Sequence, residues 1–410
     1  MTARRFSPHV FLFLAGLAAA LWLLPPAAQA DLNITVAGGQ IAAQPIAVVP
    51  FSIPPDVSFD VAQVIQDDLK RSGLFNPLPR AQMLEKPTQP GQLDYRNWRV
   101  LGQNDVVIGQ VRHQGAGIGV RFYLFDVFRG QQLIAYDMPP VAADQLRYTA
   151  HRIADLIFKQ LTGIPGYFDT RIAYVQAQGL GAKRTFKIMI SDSDGRYPHV
   201  VASYNEPLMS PAWSPDGKAL AFVGFERTGS AIYIDDLSTG HLTKLTGEPG
   251  INGAPAWSPD GKSLAITLSF GHNPDLYIVN LGTHAMRRLT HDPAIDTEAT
   301  WSPDGKTIAF TSDRGGNAQI YEVPADGSAP PTRITFQGKQ NLRARFAPDG
   351  RSLALVNYDG SSYRIGVLDL QTGNLKLLTD GPLDQGPDWA PNGHVLIYDG
   401  ISNNGTQLKI

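Results

Sequence analysis

The hexapeptide Trp213–Lys218 (WSPDGK) recurs unchanged at Trp257–Lys262 and Trp301–Lys306, then in altered form at Phe346–Arg351 (FAPDGR) and Trp389–His394 (WAPNGH). The leading aromatic residues stand 44, 44, 45 and 43 residues apart, the length of one four-stranded β-propeller blade. In each copy proline presets φ for a turn, Asp or Asn bonds its own backbone, and Gly accepts positive φ. Alternating apolar strands follow at Ala219–Gly224, Ser263–Leu268, Thr307–Thr311 and Ser352–Val356. A third strand carries Ile-Tyr or its like (Ile232-Tyr233, Leu276-Tyr277, Ile320-Tyr321, Ile365-Gly366), and a fourth ends at Thr246, Thr290, Thr335 or Thr379. Short strands with period two at regular spacing predict all-β structure. The aromatic lead closes the first strand of each blade, where a large ring packs between neighbouring sheets rather than stacking on a cofactor.

Second-strand signals occur six times, from Arg171–Val175 (RIAYV) to Val395–Tyr398 (VLIY), so the expected propeller has six blades. The first signal has no Trp-Ser-Pro strand before it, and the sixth blade stops at Gln407–Ile410. Propellers hide their sheet edges by closing the ring. The expectation is therefore a last blade shortened by on the order of 20 residues, half of one repeat.

The chain before the propeller has a different grammar. Arg4 and Arg5 precede the apolar run Phe11–Leu24, and Ala28-Gln29-Ala30 supplies small residues for cleavage after Ala30. Residues 1–30 thus read as a secretory signal peptide, and the apolar run is too short to span a bilayer. Residues 31–44 read as an arm in which Leu32, Ile34 and Val36 alternate ahead of Gly38-Gly39. Residues 45–165 read as an α/β domain. It has a buried strand at Pro45–Phe51, a helix at Phe59–Ser72 stopped by Gly73, a meander at Asp105–His113, Gly119–Phe128 and Gln131–Met138, and a helix at Ala143–Leu161. Thr162–Gly166 forms the hinge into the propeller, residues 166–410.

Several chemistries are disfavoured. With no cysteine there is no disulfide, thiol nucleophile or lipidated cysteine. Leaving out Arg4 and Arg5, 33 basic face 37 acidic side chains, a net of −4 that gives nucleic-acid binding no support. No Gly-x-Ser-x-Gly elbow, His-Glu-x-x-His or phosphate-binding Gly-x-x-x-x-Gly-Lys-Ser/Thr occurs. His113, His151, His199, His241, His272, His284, His291 and His394 are scattered, which favours surface positions over metal ligation. Asp192, Asp194, Asp235 and Asp236 sit beside turns, where Asp serves the backbone. No catalytic residue, metal or cofactor is expected, although a propeller lactonase or peptidase gate is the competing class. The variable loops before each aromatic lead are Asn205–Met209, Gly250–Ala254, Ile295–Glu298, Lys339–Arg343 and Leu383–Gln385. Variation on a monotonous scaffold suggests a recognition surface.

With the export signal, the domain opening on PIAVVPF and the WSPDGK blades in that order, the mature chain resembles the TolB family of the periplasmic Tol–Pal system. The resemblance implies an α/β domain plus a six-bladed propeller without enzymatic activity. It implies binding to the lipoprotein Pal through the propeller channel and to TolA through the mature N-terminus, with colicins and phage proteins exploiting the same surfaces. Charge and the shortness of the apolar runs argue for no nucleic-acid partner and no membrane insertion. The Pal-facing loops correspond to Asn252, Gly253, Ala254, Asp296, Thr297 and Glu298, joined by Arg343 and Gln385 of the next two loops. The TolA-facing arm corresponds to Asp31–Ala42, with Asp31, Leu32, Asn33, Ile34, Thr35 and Val36 as its contact residues.

Overall fold

The computed structural model describes residues 43–179, 184–227, 229–270, 272–402 and 405–410. The expected signal segment with Ala30 and the expected arm residues Asp31–Val36 lie outside the described residues. Among the described residues no helix is long and apolar enough to cross a membrane.

The N-terminal domain is a five-stranded mixed sheet. β1 (Gln44–Val48) pairs in parallel with β2 (Phe75–Pro77) and with β3 (Asp105–Gln114). β4 (Gly117–Asp126) and β5 (Gln131–Val141) complete the expected antiparallel meander. Helix α1 (Val61–Arg71) starts where the Asp60 carboxylate accepts the Gln63 N–H and stops before Gly73 at φ 72°, as its cap chemistry requires. A short helix α2 (Tyr95–Val100) had no sequence signal. Helix α3 (Leu146–Thr162) follows a 3₁₀ turn at Ala143–Gln145 and ends at left-handed Gly163. The apolar stripes of α1 (Val61, Ile65, Leu69) and α3 (Leu146, Ile153, Ile157) bury one sheet face against Ile46, Val107, Phe122 and Leu124. Trp98 of α2 covers the other face with Val106, Ile108 and Phe125.

Residues 171–410 form six antiparallel sheets, one per blade. Blades 2 to 5 have four strands each, while blade 1 (Arg171–Gln178, Thr185–Asp192, His199–Tyr204) and blade 6 (Gln385–Trp389, Leu396–Ser402, Gly405–Lys409) have three. The WSPDGK turns are built as the sequence predicts. Ser214 Oγ donates to Asp216 Oδ1 at 2.7 Å, the Lys218 and Ala219 amides donate to Asp216 and Ser214, and Gly217 takes φ 68°. The aromatic leads lock blade to blade. The indole N–H of Trp257 donates to the Ala212 carbonyl at 3.0 Å, that of Trp301 to Ala256 at 3.1 Å, and that of Trp389 to Arg345 at 3.0 Å. In blades 3, 4 and 5 the fourth strand pulls away early. The hydroxyls of Thr290, Thr335 and Thr379 then accept the third-strand amides of Leu276, Ile320 and Ile365.

Antiparallel pairing puts the start of each innermost strand and the end of the second on one face of the ring. The WSPDGK turns lie on the other. The N-terminal domain rests on the turn face: Asn392 donates to the Pro165 carbonyl at 3.0 Å, and Ala390 and Val395 pack on the domain core. The described residues of that domain leave the opposite face free.

Candidate functional site

Every innermost strand from blade 2 to blade 6 carries the same irregularity. Its pairing with the second strand slips by a bulge, between innermost-strand residues 209/212, 253/256, 297/300, 342/345 and 385/388. The residue three places before each aromatic lead adopts a left-handed backbone: Ser210 (φ 50°), Ala254 (φ 47°), Glu298 (φ 56°), Arg343 (φ 53°) and Gly386 (φ 57°). Such a backbone costs a residue with a Cβ about 1–2 kcal/mol, so four of the five copies hold strain. All five line a cavity of about 2000 Å³ that runs along the propeller axis and continues toward the domain junction. A bulge re-aims the side chains around it, and here it turns one residue per blade toward the channel.

Charge is unevenly spread around that channel. Arg343 donates from Nε to Glu298 Oε1 at 2.8 Å, and its amide reaches Oε2 at 3.2 Å. Thr311 Oγ1 donates to the same Oε2 at 3.0 Å. Arg345, Asp388 and Asp399 also face the cavity. Enclosure by protein raises the pKa of Asp399, with Arg343 opposing. The Asp388 side chain meets channel water yet is ringed by protein, which likewise raises its pKa, with Arg345 opposing.

The face away from the N-terminal domain also carries exposed apolar residues, Met209, Phe225, Ile251, Phe270, Ile295 and Phe336, the last 73% exposed. They sit where innermost strands begin, second strands end or interblade loops cross. An apolar rim around a polar channel mouth is the composition of a protein-binding surface.

The expected site residues divide into two groups. Gly253, Ala254, Thr297, Glu298, Arg343 and Gln385 are half-buried near the channel mouth. Asn252 and Asp296 are completely buried. Asn252 accepts the Glu248 amide and donates to the Glu248 carbonyl, while Asp296 is paired with Arg314 at 2.7 Å. Both brace the loops from inside, as does their counterpart Asn341, which donates to Gln319 and to the Gln337 carbonyl. Arg345 and Asp388 were missed by sequence reasoning. They occupy the place just before the aromatic lead, where Ala212, Ala256 and Thr300 are small or uncharged, and that departure was a readable signal.

His151 corrects the expectation of a surface histidine. It is not a surface residue but 3% exposed inside α3, with Nδ1 2.6 Å from Asp68 Oδ2. Asp68, His151 and Asp194 offer atoms within 4.8 Å of one another, as a metal site would. Arg71 and Arg147 already contact those carboxylates, so two fixed cations stand where an ion would bind.

Comparison with known proteins follows the same division. The family described as the TolB beta propeller domain matches residues 158–410, and the TolB amino-terminal domain matches residues 32–133. The chain belongs to the TolB family. It is 51% identical over 385 residues to the Tol-Pal system protein TolB of Xanthomonas oryzae pv. oryzae (strain MAFF 311018), spanning 92% of this chain and 87% of that protein. The same identity holds over 393 residues with the TolB of Xanthomonas euvesicatoria pv. vesicatoria (strain 85-10), spanning 94% and 89%. The crystal structure of TolB from Acinetobacter baumannii superposes with a TM-score of 0.84 at 38% identity, covering 92% of this chain and 93% of that one. TolB architecture, an α/β domain followed by a six-bladed propeller, is thus the architecture of this chain.

Proposed function

We propose that this chain is a non-catalytic periplasmic adaptor of the Tol–Pal system. It binds Pal at the free propeller face and TolA through the segment at residues 31–42, and so supports outer-membrane integrity and envelope constriction during division. Colicins or phage proteins that target this system would use the same two regions. The observation that carries the reading is the row of strained bulge residues. Left-handed backbone at four residues with side chains persists where the surrounding structure over-determines it, and it concentrates at binding sites. Here it recurs on the channel wall, beneath the apolar rim. Glu298, Arg343, Thr297 and Gln385 supply polar contacts there, and Ala254 with Gly253 leaves room for an inserted loop.

Two titrations test this. Purified Pal should bind the mature chain and a form lacking residues 31–42 with equal affinity, whereas the TolA C-terminal domain should bind only the mature chain. Unchanged TolA affinity after the deletion would remove the arm from the interface. Pal binding that survives replacement of Phe336 and Ile251 by Asp would move Pal to another face.

A further inference from the structure

Where the two domains meet, the turn of blade 1 at Asp192–Asp194 is gripped by side chains from both long helices of the N-terminal domain. From α3, Arg147 donates to Asp192 Oδ2 at 2.7 Å and also to Asp194. From α1, Arg71 donates to Ser193 Oγ at 3.1 Å and to Asp68 Oδ1 at 3.0 Å. The Ser193 hydroxyl donates to the Phe168 carbonyl at 2.7 Å, and its amide donates to the Thr170 carbonyl. His151 lies between the parts: Nδ1 faces Asp68 and Nε2 faces Asp192 Oδ2 at 3.8 Å. Three cations, Arg71, Arg147 and His151, thus meet three carboxylates, Asp68, Asp192 and Asp194.

We propose that these six side chains form an electrostatic clamp that seats the N-terminal domain on blade 1, and that loss of the His151 proton opens it. The neighbours on every packed element are accounted for. Asp155 of α3 is occupied by the amides of Phe168 and Asp169. Tyr167 and Asp169 stand on the linker, and Arg196 reaches Asp194 at 3.8 Å from the blade. Burial works against the charge on His151, but the carboxylates of Asp192 and Asp68 outweigh it and hold its pKa at about 9. Asp192 is held low in turn: burial would raise it, and His151 and Arg147 prevail. The more deeply buried Asp68 is instead raised by its burial against the pull of His151 and Arg71, so the charge on His151 is held chiefly across the junction by Asp192. Removing the proton takes the buried imidazolium from between Asp68 and Asp192 and leaves only the guanidiniums of Arg71, Arg147 and the more exposed Arg196 facing the three carboxylates. It also points a bare Nε2 lone pair, which has no hydrogen-bond partner in the closed arrangement, at the Asp192 carboxylate. A buried charge that loses its partner is strongly destabilising, and the least-cost relief here is to let water enter between the domains. The sign follows from the raised pKa. The clamp's contribution is complete below the free-histidine value near 6.5 and is lost as pH rises through about 9.

The test is amide hydrogen exchange of the full-length protein between pH 7 and pH 10, corrected for the intrinsic rise in rate with pH. Protection of the Ser193 amide, which is bonded to Thr170, should fall at least tenfold with a midpoint near pH 9. Ile108 within β3 and Ala265 within blade 3 should stay protected, which separates clamp opening from unfolding. In His151→Gln, Ser193 should be weakly protected already at pH 7 and show no such midpoint. A flat profile in the unaltered protein overturns the proposal, as does a His151→Gln profile parallel to it. If His151→Gln does not fold, the unaltered protein decides alone: protection that persists up to pH 10 overturns the proposal.

Discussion

Glu298 and Arg343 occupy the same step of neighbouring blades, 45 residues apart, and close on each other at 2.8 Å across the channel wall. One position of the repeat therefore holds an anion in blade 4 and a cation in blade 5, and the two satisfy one another before any partner arrives. Half-exposed pairs of this sort add little stability, typically about 0–1 kcal/mol. Their value lies in orientation. A partner loop entering the mouth meets a fixed dipole rather than two loose side chains.

Glu298→Ala and Arg343→Ala should each weaken binding of Pal. The double variant should lose less than the sum, with a coupling of roughly 0.5–3 kcal/mol. Calorimetric titration of the four proteins measures it. Strict additivity would mean that the partner reads the two side chains separately.

The bulge predicts opposite responses at equivalent positions. Gly386→Ala should destabilise the propeller by about 1–2 kcal/mol. A Cβ there must take φ 57° and would also meet Asp399 Oδ2 at 3.1 Å. Ala254→Gly should be neutral or slightly stabilising, because relief of strain offsets the added chain entropy. Urea unfolding of both variants decides the matter, and equal destabilisation would exclude strain as the cause.

Trp257→Phe keeps most of the ring area and deletes one hydrogen bond. It should lower stability by about 1–3 kcal/mol by leaving the Ala212 carbonyl without its indole donor. The same carbonyl position facing blade 5 has no such donor, because Phe346 stands there. Phe346→Trp should then recover part of the loss when combined with Trp257→Phe. A further drop would show that blade 5 has no room for an indole.

Asp105 gives a pH-dependent prediction. Burial, with help from Asp126 and against a hydrogen bond from Gln44, raises its pKa to about 6. A carboxylate whose folded value lies above its unfolded value favours folding at low pH and loses that contribution as pH climbs from about 4 to 6. Asp105→Asn should thus be more stable than the parent at pH 7 by roughly 1–3 kcal/mol, using about 1.4 kcal/mol per unit. The two should converge near pH 4. Melts at both pH values check this, and a constant difference would trace the gain to packing.

What could be read from the chain, and what could not, follows from how local each signal is. The blades were legible because Pro-Asp-Gly turns and period-two strands are set by neighbours in sequence, and Gly217, Gly261 and Gly305 all take the φ near 70° that the motif requires. The helices α1 and α3 were legible from their apolar stripes. β2 and α2 were not, since three strand residues and six helical ones carry too little periodicity. The interior placement of Asn252 and Asp296 was hidden as well. A polar residue at a strand start looks the same whether it faces solvent or braces a loop. Arg314 on the far side of the hairpin settles it for Asp296, and the Glu248 backbone with Ser230 for Asn252. His151 was misread for the same reason: its partner Asp68 lies 83 residues away on another helix.

The indole bonds between blades have a consequence for how such a ring can change over time. Each joint consists of a donor in one copy and a carbonyl one residue before the lead of the copy before it. A duplicated blade therefore arrives carrying both halves of its joint and fits either neighbour. Because the two halves are adjacent residues such as Ala256 and Trp257, a fragment of a blade that lacks its innermost strand carries neither. Gene duplication can lengthen or shorten this ring in steps of about 44 residues, but small insertions inside a blade must be absorbed by its loops. The variable loops at the channel mouth are where such drift can accumulate without disturbing the frame.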